Sequence, residues 1–180
     1  IPFIEHYTQP GDIVFDGGFD ENCLVNVVAL GIVRESRIIR SRVPKEAAEK
    51  PYKIVLVGKP TDDSGFGGAA FASEDLAGEE ETNRGAVQVP DPFLKRVLAV
   101  ANRRVLDLAA ERGIAIGFKD LGAGGISCVT SELADAGGFG VRLNLDMVNT
   151  AVGHFPPAVV ACSETQERYG LAVPARLTEH

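Results

Sequence analysis

The sequence has no apolar run near the roughly 18 consecutive residues that a membrane-spanning helix needs, which argues against membrane embedding. It also has no cluster of Lys and Arg. With a formal net charge of -7, it is not expected to bind a nucleic-acid backbone, because that depends on many basic contacts. Cysteine is scarce. Cys23, Cys128 and Cys162 are odd in number, widely spaced and set in apolar runs without a CxxC pair, so they read as buried free thiols in a reducing cytoplasm. No secretory signal is visible, which agrees with a cytoplasmic location. Histidine is limited to His6, His154 and His180, none in a ligand-like spacing with another, so a metallohydrolase or a Ser/His/Asp triad is weakly supported. The single methionine is Met147 and residue 1 is Ile, so the sequence reads as an internal piece of a longer protein.

What is present is ordinary for a globular chain. The 180 residues are 45% hydrophobic and 24% charged, enough for about one domain with its own core. Asn22 to Arg34, NCLVNVVALGIVR, is β-branched and reads as a mostly buried strand, preceded by the turn-rich QPGDIVFDGGFD. Glu35 to Lys50 is charged, carries Pro44 and reads as a connector or boundary. Lys53 to Gly58, KIVLVG, is a short strand opening into a polar, glycine-rich loop, a common place for ligands. The acidic SEDLAGEEETNRG that follows reads as a solvated surface loop.

Asp91 and Pro92 mark a helix start, since aspartate accepts a bond from a free amide and proline suits the first helical position. Leu94, Val97, Leu98, Ala101, Val105 and Leu108 form its apolar stripe, and Gly113 stops it. GIAIGFK returns to strand character. After Asp120 and a glycine loop, Ile126, Val129, Leu133 and Ala136 mark a second helical face closed by Gly137 and Gly138. VRLNLD alternates like a strand, and Tyr169 to Val173 is another. Strands alternating with two helices imply a mixed α and β domain.

Two glycine loops carry carboxylates. In KDLGAGGISCVTSELADAGGFG, glycines and a helix start could form an anion site and Asp120 could hold a metal, but neither the dinucleotide fingerprint nor a P-loop is present. From the loop alone, ligand site and tight turn are evenly balanced. In TDDSGFGG, Asp62 and Asp63 read as turn formers more readily than as metal ligands. SETQER, residues 163 to 168, lies between the apolar AVVAC and the strand YGLAV, and by itself reads as an exposed turn more readily than as a recognition element. Gln88 alone carries little information.

Taken in order, GKPTDDSGFGGAAFAS, VQVPDPFLKRVL, KDLGAGGISCVTSELA and SETQERYGLAV resemble the synthetase subunit of the phosphoribosylformylglycinamidine synthase family, over nearly the whole chain. The resemblance implies an α+β fold, a mixed β-sheet with flanking helices. It places residues 1–35 at the end of an N-terminal synthetase-type domain and 36–180 in the C-terminal synthetase-type domain, in whole or in part. It implies a ligase of purine biosynthesis that uses ATP, magnesium and glutamine-derived ammonia to convert formylglycinamide ribonucleotide to its amidine, by activating the formamide oxygen for displacement by ammonia. The partners it implies are a glutaminase subunit and a small accessory subunit.

By the same resemblance, the magnesium aspartate falls on Asp120, and the substrate-binding residues fall on Gln88, Glu164, Thr165 and Gln166. The family's catalytic histidines would lie N-terminal to this piece, so it holds no catalytic residue and is not expected to turn over alone. Departures are the absence of an Arg and a His from the loop at 61–68, Pro90 in place of a glycine, and Thr165 in place of a serine; the upstream Gly-Gly-Glu is not visible. Alternatives are another ATP-using member of the superfamily, such as an aminoimidazole ribonucleotide synthetase, a selenophosphate synthetase or a thiamine monophosphate kinase, against which SETQER speaks. A non-catalytic nucleotide-binding or subunit-docking module is the remaining one.

Overall fold

The structure, a computed structural model, describes residues 31–68 and 88–178. It divides into two compact units, Ile1–Ile38 and Ile39–His180. Within the first, the described residues carry one 3-10 turn, Glu35–Arg37.

The second unit is built on strands β1 (Tyr52–Gly58), β2 (Gly117–Asp120) and β3 (Arg168–Pro174), with helices α1 (Pro92–Glu111), α2 (Gly125–Asp135) and α3 (Pro157–Cys162). The sheet order is β1-β3-β2, and β3, last in the sequence, takes the centre and pairs antiparallel with both neighbours. Parallel pairing occurs only as the single bridges Arg40–Gly117 and Thr61–Thr150 among the described residues. This is an α+β arrangement.

Side-chain alternation along the strands separates two apolar layers. On one face, Ile126, Val129 and Leu133 of α2 pack with Ala172 against Ile54 and Leu56. These three α2 side chains are essentially fully buried, each contributing about 1.5–3 kcal/mol. On the other face, Leu94 and Leu98 of α1 pack on Tyr169, Leu171 and Phe118. The α1 cap is as expected: Asp91 Oδ1 accepts from the Leu94 amide at 2.9 Å, and Pro92 is the first helical residue. Its stripe is narrower than the sequence pattern, with Leu98, Asn102 and Ala109 buried while Val97 and Val105 stay exposed.

Several expectations change. VRLNLD is not a strand; Asn144 accepts from the Asp146 amide at 3.1 Å and turns the chain into a 3-10 helix at Leu145–Met147. GIAIGFK is strand only from Gly117. Cys162 is exposed and Cys128 half-buried, both free, so neither is the buried thiol expected. Residues 31–34 are not strand, and the rest of the expected strand from Asn22, QPGDIVFDGGFD, Cys23 and SEDLAGEEETNRG lie outside the described residues.

Candidate functional site

The polar stretch Ser163–Arg168 connects α3 to β3 and is not an exposed turn. Ser163, Glu164, Thr165, Gln166, Glu167 and Arg168 are all at most 8% exposed. Six consecutive polar residues go under only if their groups find partners, because an unpaired buried polar group costs several kcal/mol. Arg168 supplies much of that satisfaction. Its guanidinium donates to the carbonyls of Thr165 and Ser163, each at 2.8 Å, and to Thr61 Oγ1 at 2.7 Å. Burial pushes its pKa down to about 10, partly offset by the charge of Asp62, so it remains a cation at neutral pH. The turn is thus wound around its own arginine.

Glu164 is where the separate motifs meet. Gln88 Nε2 donates to Glu164 Oε2 at 2.6 Å, and the Gly124 amide approaches Glu164 Oε1 at 3.4 Å. The Glu164 amide in turn donates to the Ser64 carbonyl at 3.1 Å. Gly124 is the residue before α2, so the free amide end of that helix faces a carboxylate of the chain itself. Two glycines make these approaches possible. A Cβ on Gly125, at φ +58°, would stand 2.3 Å from the Ser163 carbonyl oxygen, and one on Gly65, at φ +69°, 2.7 Å from Glu164 Cβ. Gln166 Nε2 donates to the Glu164 carbonyl at 2.7 Å, tightening the turn.

Thr165 faces inward. Its hydroxyl donates to Asp62 Oδ1 at 2.7 Å and accepts from the Asp62 amide at 3.0 Å, tying the turn to the loop at 61–68. Asp62 itself also accepts from the Ser64 amide at 3.1 Å and pairs with Lys59 at 2.9 Å. Burial raises its pKa, but the hydrogen bonds from Ser64, Lys59 and Thr165 outweigh this and hold the carboxyl well below the usual range. Asp62 is therefore the turn former expected.

Asp120 ends β2, opposite Tyr169 in the register, and is exposed. Its carboxylate makes no hydrogen bond or ion pair with another described residue. The next amide, of Leu121, donates to the Arg168 carbonyl at 3.0 Å, which fixes Asp120 to the end of the same turn. Hydrogen bonds join Gln88 and Gln166 to Glu164, Thr165 ties the same turn to Asp62 instead, and Asp120 lies at the end of β2 opposite Tyr169, just past the turn. Sequence reasoning passed over Arg168 and Glu167; the available signal was a polar run between two apolar ones, which buries its own charges.

Sheet, helices and clustered motifs together define an α+β domain whose separate loops converge on one buried carboxylate. The family described as AIR synthase related protein, C-terminal domain, matches residues 52–180, and the chain belongs to it. More particularly, the chain is similar to proteins named phosphoribosylformylglycinamidine synthase subunit PurL. That of Methanothrix thermoacetophila is 55% identical over 170 residues, 94% of this chain and 22% of the relative. The structure described as Thermotoga maritima PurL complexed with FGAR aligns with TM-score 0.67 and 33% identity, covering 80% of this chain and 22% of that one. A structure of the same protein complexed with ATP has TM-score 0.58 at 26% identity, covering 80% and 20%. One named PurLQS has 0.59 at 25%, covering 81% and 21%. The chain thus spans about a fifth of the length of its relatives. No helix of the described residues is long and apolar enough to cross a membrane.

Proposed function

We propose that this chain is part of an ATP-dependent phosphoribosylformylglycinamidine synthase, a carbon–nitrogen ligase that converts formylglycinamide ribonucleotide and glutamine-derived ammonia to formylglycinamidine ribonucleotide. The observation that carries the reading is the convergence on Glu164 of Gln88, the Gly124 amide and the loop bearing Ser64. Motifs far apart in sequence meet at one buried carboxylate, beside an exposed Asp120. The PurL relatives, one solved with FGAR and one with ATP, support it.

In this reading Gln88, Glu164 and Gln166 supply a donor and acceptor edge for the ribonucleotide, with Thr165 bracing the turn from below. Such an edge orients the reacting formamide relative to ATP, and orientation is the main contribution a protein makes to phosphoryl transfer. Asp120 fits one ligand of a magnesium ion, an exposed carboxylate with no hydrogen-bond or ion-pair partner among the described residues. No group of three His, Cys, Asp or Glu among the described residues could hold a metal by itself. Magnesium is ordinarily held by one or two carboxylates with phosphate oxygens and water completing its shell, so a single aspartate suffices here. When bound, the ion offsets negative charge on the transferred phosphate.

The catalytic histidines of this reading lie outside the chain, so activity belongs to the full-length protein, in the cytoplasm, with a glutaminase subunit and a small accessory subunit. The PurLQS neighbour supports such partners. In the full-length protein Gln166→Ala raises the Michaelis constant for the ribonucleotide about tenfold or more with kcat little changed. Steady-state kinetics with ammonia as nitrogen source checks this; an unchanged constant removes Gln166 from the substrate edge.

A further inference from the structure

Glu167 follows the proposed substrate edge and is given no role in it. It is the one described non-glycine residue with positive φ, 59°. That backbone region costs a residue with a Cβ on the order of 1 kcal/mol or more, and burial of a carboxylate costs more again. Glycine would avoid both. Glu167 is nevertheless 3% exposed, so its side chain has a use that outweighs these costs.

Its contacts cross from the turn to the start of α1. Oε1 faces the Asp91 amide at 3.4 Å. Oε2 lies 3.4 Å from Lys95 Nζ and has no hydrogen bond of its own. Lys95, one turn into α1, rests 5.0 Å above the centre of the Tyr169 ring. Burial lowers the Lys95 pKa, but Tyr169 and Glu167 outweigh it and the net shift is upward, so the partner is a cation. Charge-assisted bonds are ordinarily about 2.7–2.9 Å, so both Glu167 contacts have room to shorten. Asp91 is three residues beyond Gln88, whose amide holds Glu164 at 2.6 Å. The same two chain segments are thus bridged twice, once at the substrate edge and once beneath it.

We propose that Glu167 and Lys95 form a positioning latch that sets the gap between Gln88 and the Glu164–Gln166 turn and tightens when the ribonucleotide fills that edge. The proposal rests on the reading that Gln88, Glu164 and Gln166 bind the ribonucleotide. Neither latch residue touches the substrate. A latch acts on fit for one substrate, whereas a merely structural pair would lower stability and leave the kinetic constants alone.

The test uses the full-length protein as wild type, Glu167→Gln, Lys95→Met and the double variant. Glu167→Gln keeps an acceptor for the Asp91 amide and removes the charge; Lys95→Met keeps the stem over Tyr169. Each single variant is expected to raise the Michaelis constant for the ribonucleotide about tenfold, with kcat and the constant for ATP within twofold. The double variant is expected to match the singles rather than multiply them, because both remove one interaction. A ribonucleotide constant within twofold of wild type in folded variants, or an equal rise for ATP, overturns the latch. Should Glu167→Gln fail to fold, Lys95→Met decides alone, since Lys95 lies partly in solvent.

Hydrogen exchange separates this proposal from the functional reading beneath it. In Lys95→Met the Asp91 and Leu94 amides, which donate to Glu167 and to the Asp91 cap, are expected to exchange at least fivefold faster, with those of α2 unchanged. If wild type does not make the amidine, the functional reading fails, and unchanged exchange at Asp91 and Leu94 then overturns the latch as well.

Discussion

The loops at 61–68 and 120–125 have the same ingredients, an aspartate after a strand and a run of glycines, yet their carboxylates have opposite fates. Asp62 is held by Ser64, Lys59 and Thr165. Asp120 is exposed with no such partner among the described residues. The cause is local. Asp62 has a serine two residues on and a lysine three residues back, whereas Asp120 is followed by Leu121 and Gly122, which carry no side-chain donor. The neighbouring Lys119 turns to the other face of the sheet and pairs with Glu132 of α2 at 2.6 Å. What separates a structural aspartate from one open to a ligand is therefore not glycine content but whether nearby donors occupy its oxygens.

The largest effect expected from breaking this comparison is at Gly125. Gly125→Ala forces a Cβ to 2.3 Å from the Ser163 carbonyl oxygen at a residue with φ +58°. Nothing soft can give way there, because the obstacle is backbone. The expected loss of stability is about 3 kcal/mol or more, read by denaturant unfolding. Gly67→Ala is the matched change in the other loop. Its φ is +80°, but nothing lies within 4 Å of the added methyl, so the cost is on the order of 1 kcal/mol. Equal losses would show that close approach to the turn at 163–168 is not what Gly125 provides.

Asp120→Asn is next and reverses the sign of the comparison, with a large effect on activity and little on stability. In the full-length protein, magnesium-dependent activity is expected to fall well over tenfold, as for loss of a charged metal ligand. Unfolding should move by no more than about 0.5 kcal/mol, because the carboxylate is exposed and makes no hydrogen bond or ion pair with another described residue. Near wild-type activity, measured against magnesium concentration, removes Asp120 from the metal site.

Much of this was legible in local sequence and some was not. The cap at Asp91, the strands expected at Lys53–Gly58 and Tyr169–Val173 and the Ile126–Val129–Leu133 part of the second helical face follow from short-range rules and are present, whereas Ala136, expected on that face, caps the helix and is exposed. The alternation in VRLNLD misled because a strand also needs a partner, and Asn144 offered the backbone a local alternative. SETQER misled in the other direction. Polarity normally means exposure, but Arg168 bonds the carbonyls of Ser163 and Thr165 while Gln88 and Asp62 supply partners for Glu164 and Thr165 inside the fold. The meeting of Gln88 with Glu164, 76 residues apart, is set by the placement of β3 between β1 and β2, which no local pattern specifies.

The smallest effect sharpens the structural side of the comparison. Because hydrogen bonds lower the Asp62 pKa below its ordinary value of 3.8 in spite of burial, the ionised form favours the folded state. That contribution is complete above the unfolded value and is lost as pH falls through it toward the folded one. Asp62→Asn keeps an acceptor for Ser64 and Thr165 but removes the charge facing Lys59. It is expected to cost about 1 kcal/mol at pH 7, the scale of one charge-assisted bond partly open to water. Below about pH 3 the gap between variant and wild type should shrink, since the wild-type carboxyl then also loses its advantage. Unfolding of wild type and Asp62→Asn from pH 7 to pH 2.5 checks this, and a gap that stays constant across the acid limb would show that its hydrogen bonds do not depend on charge.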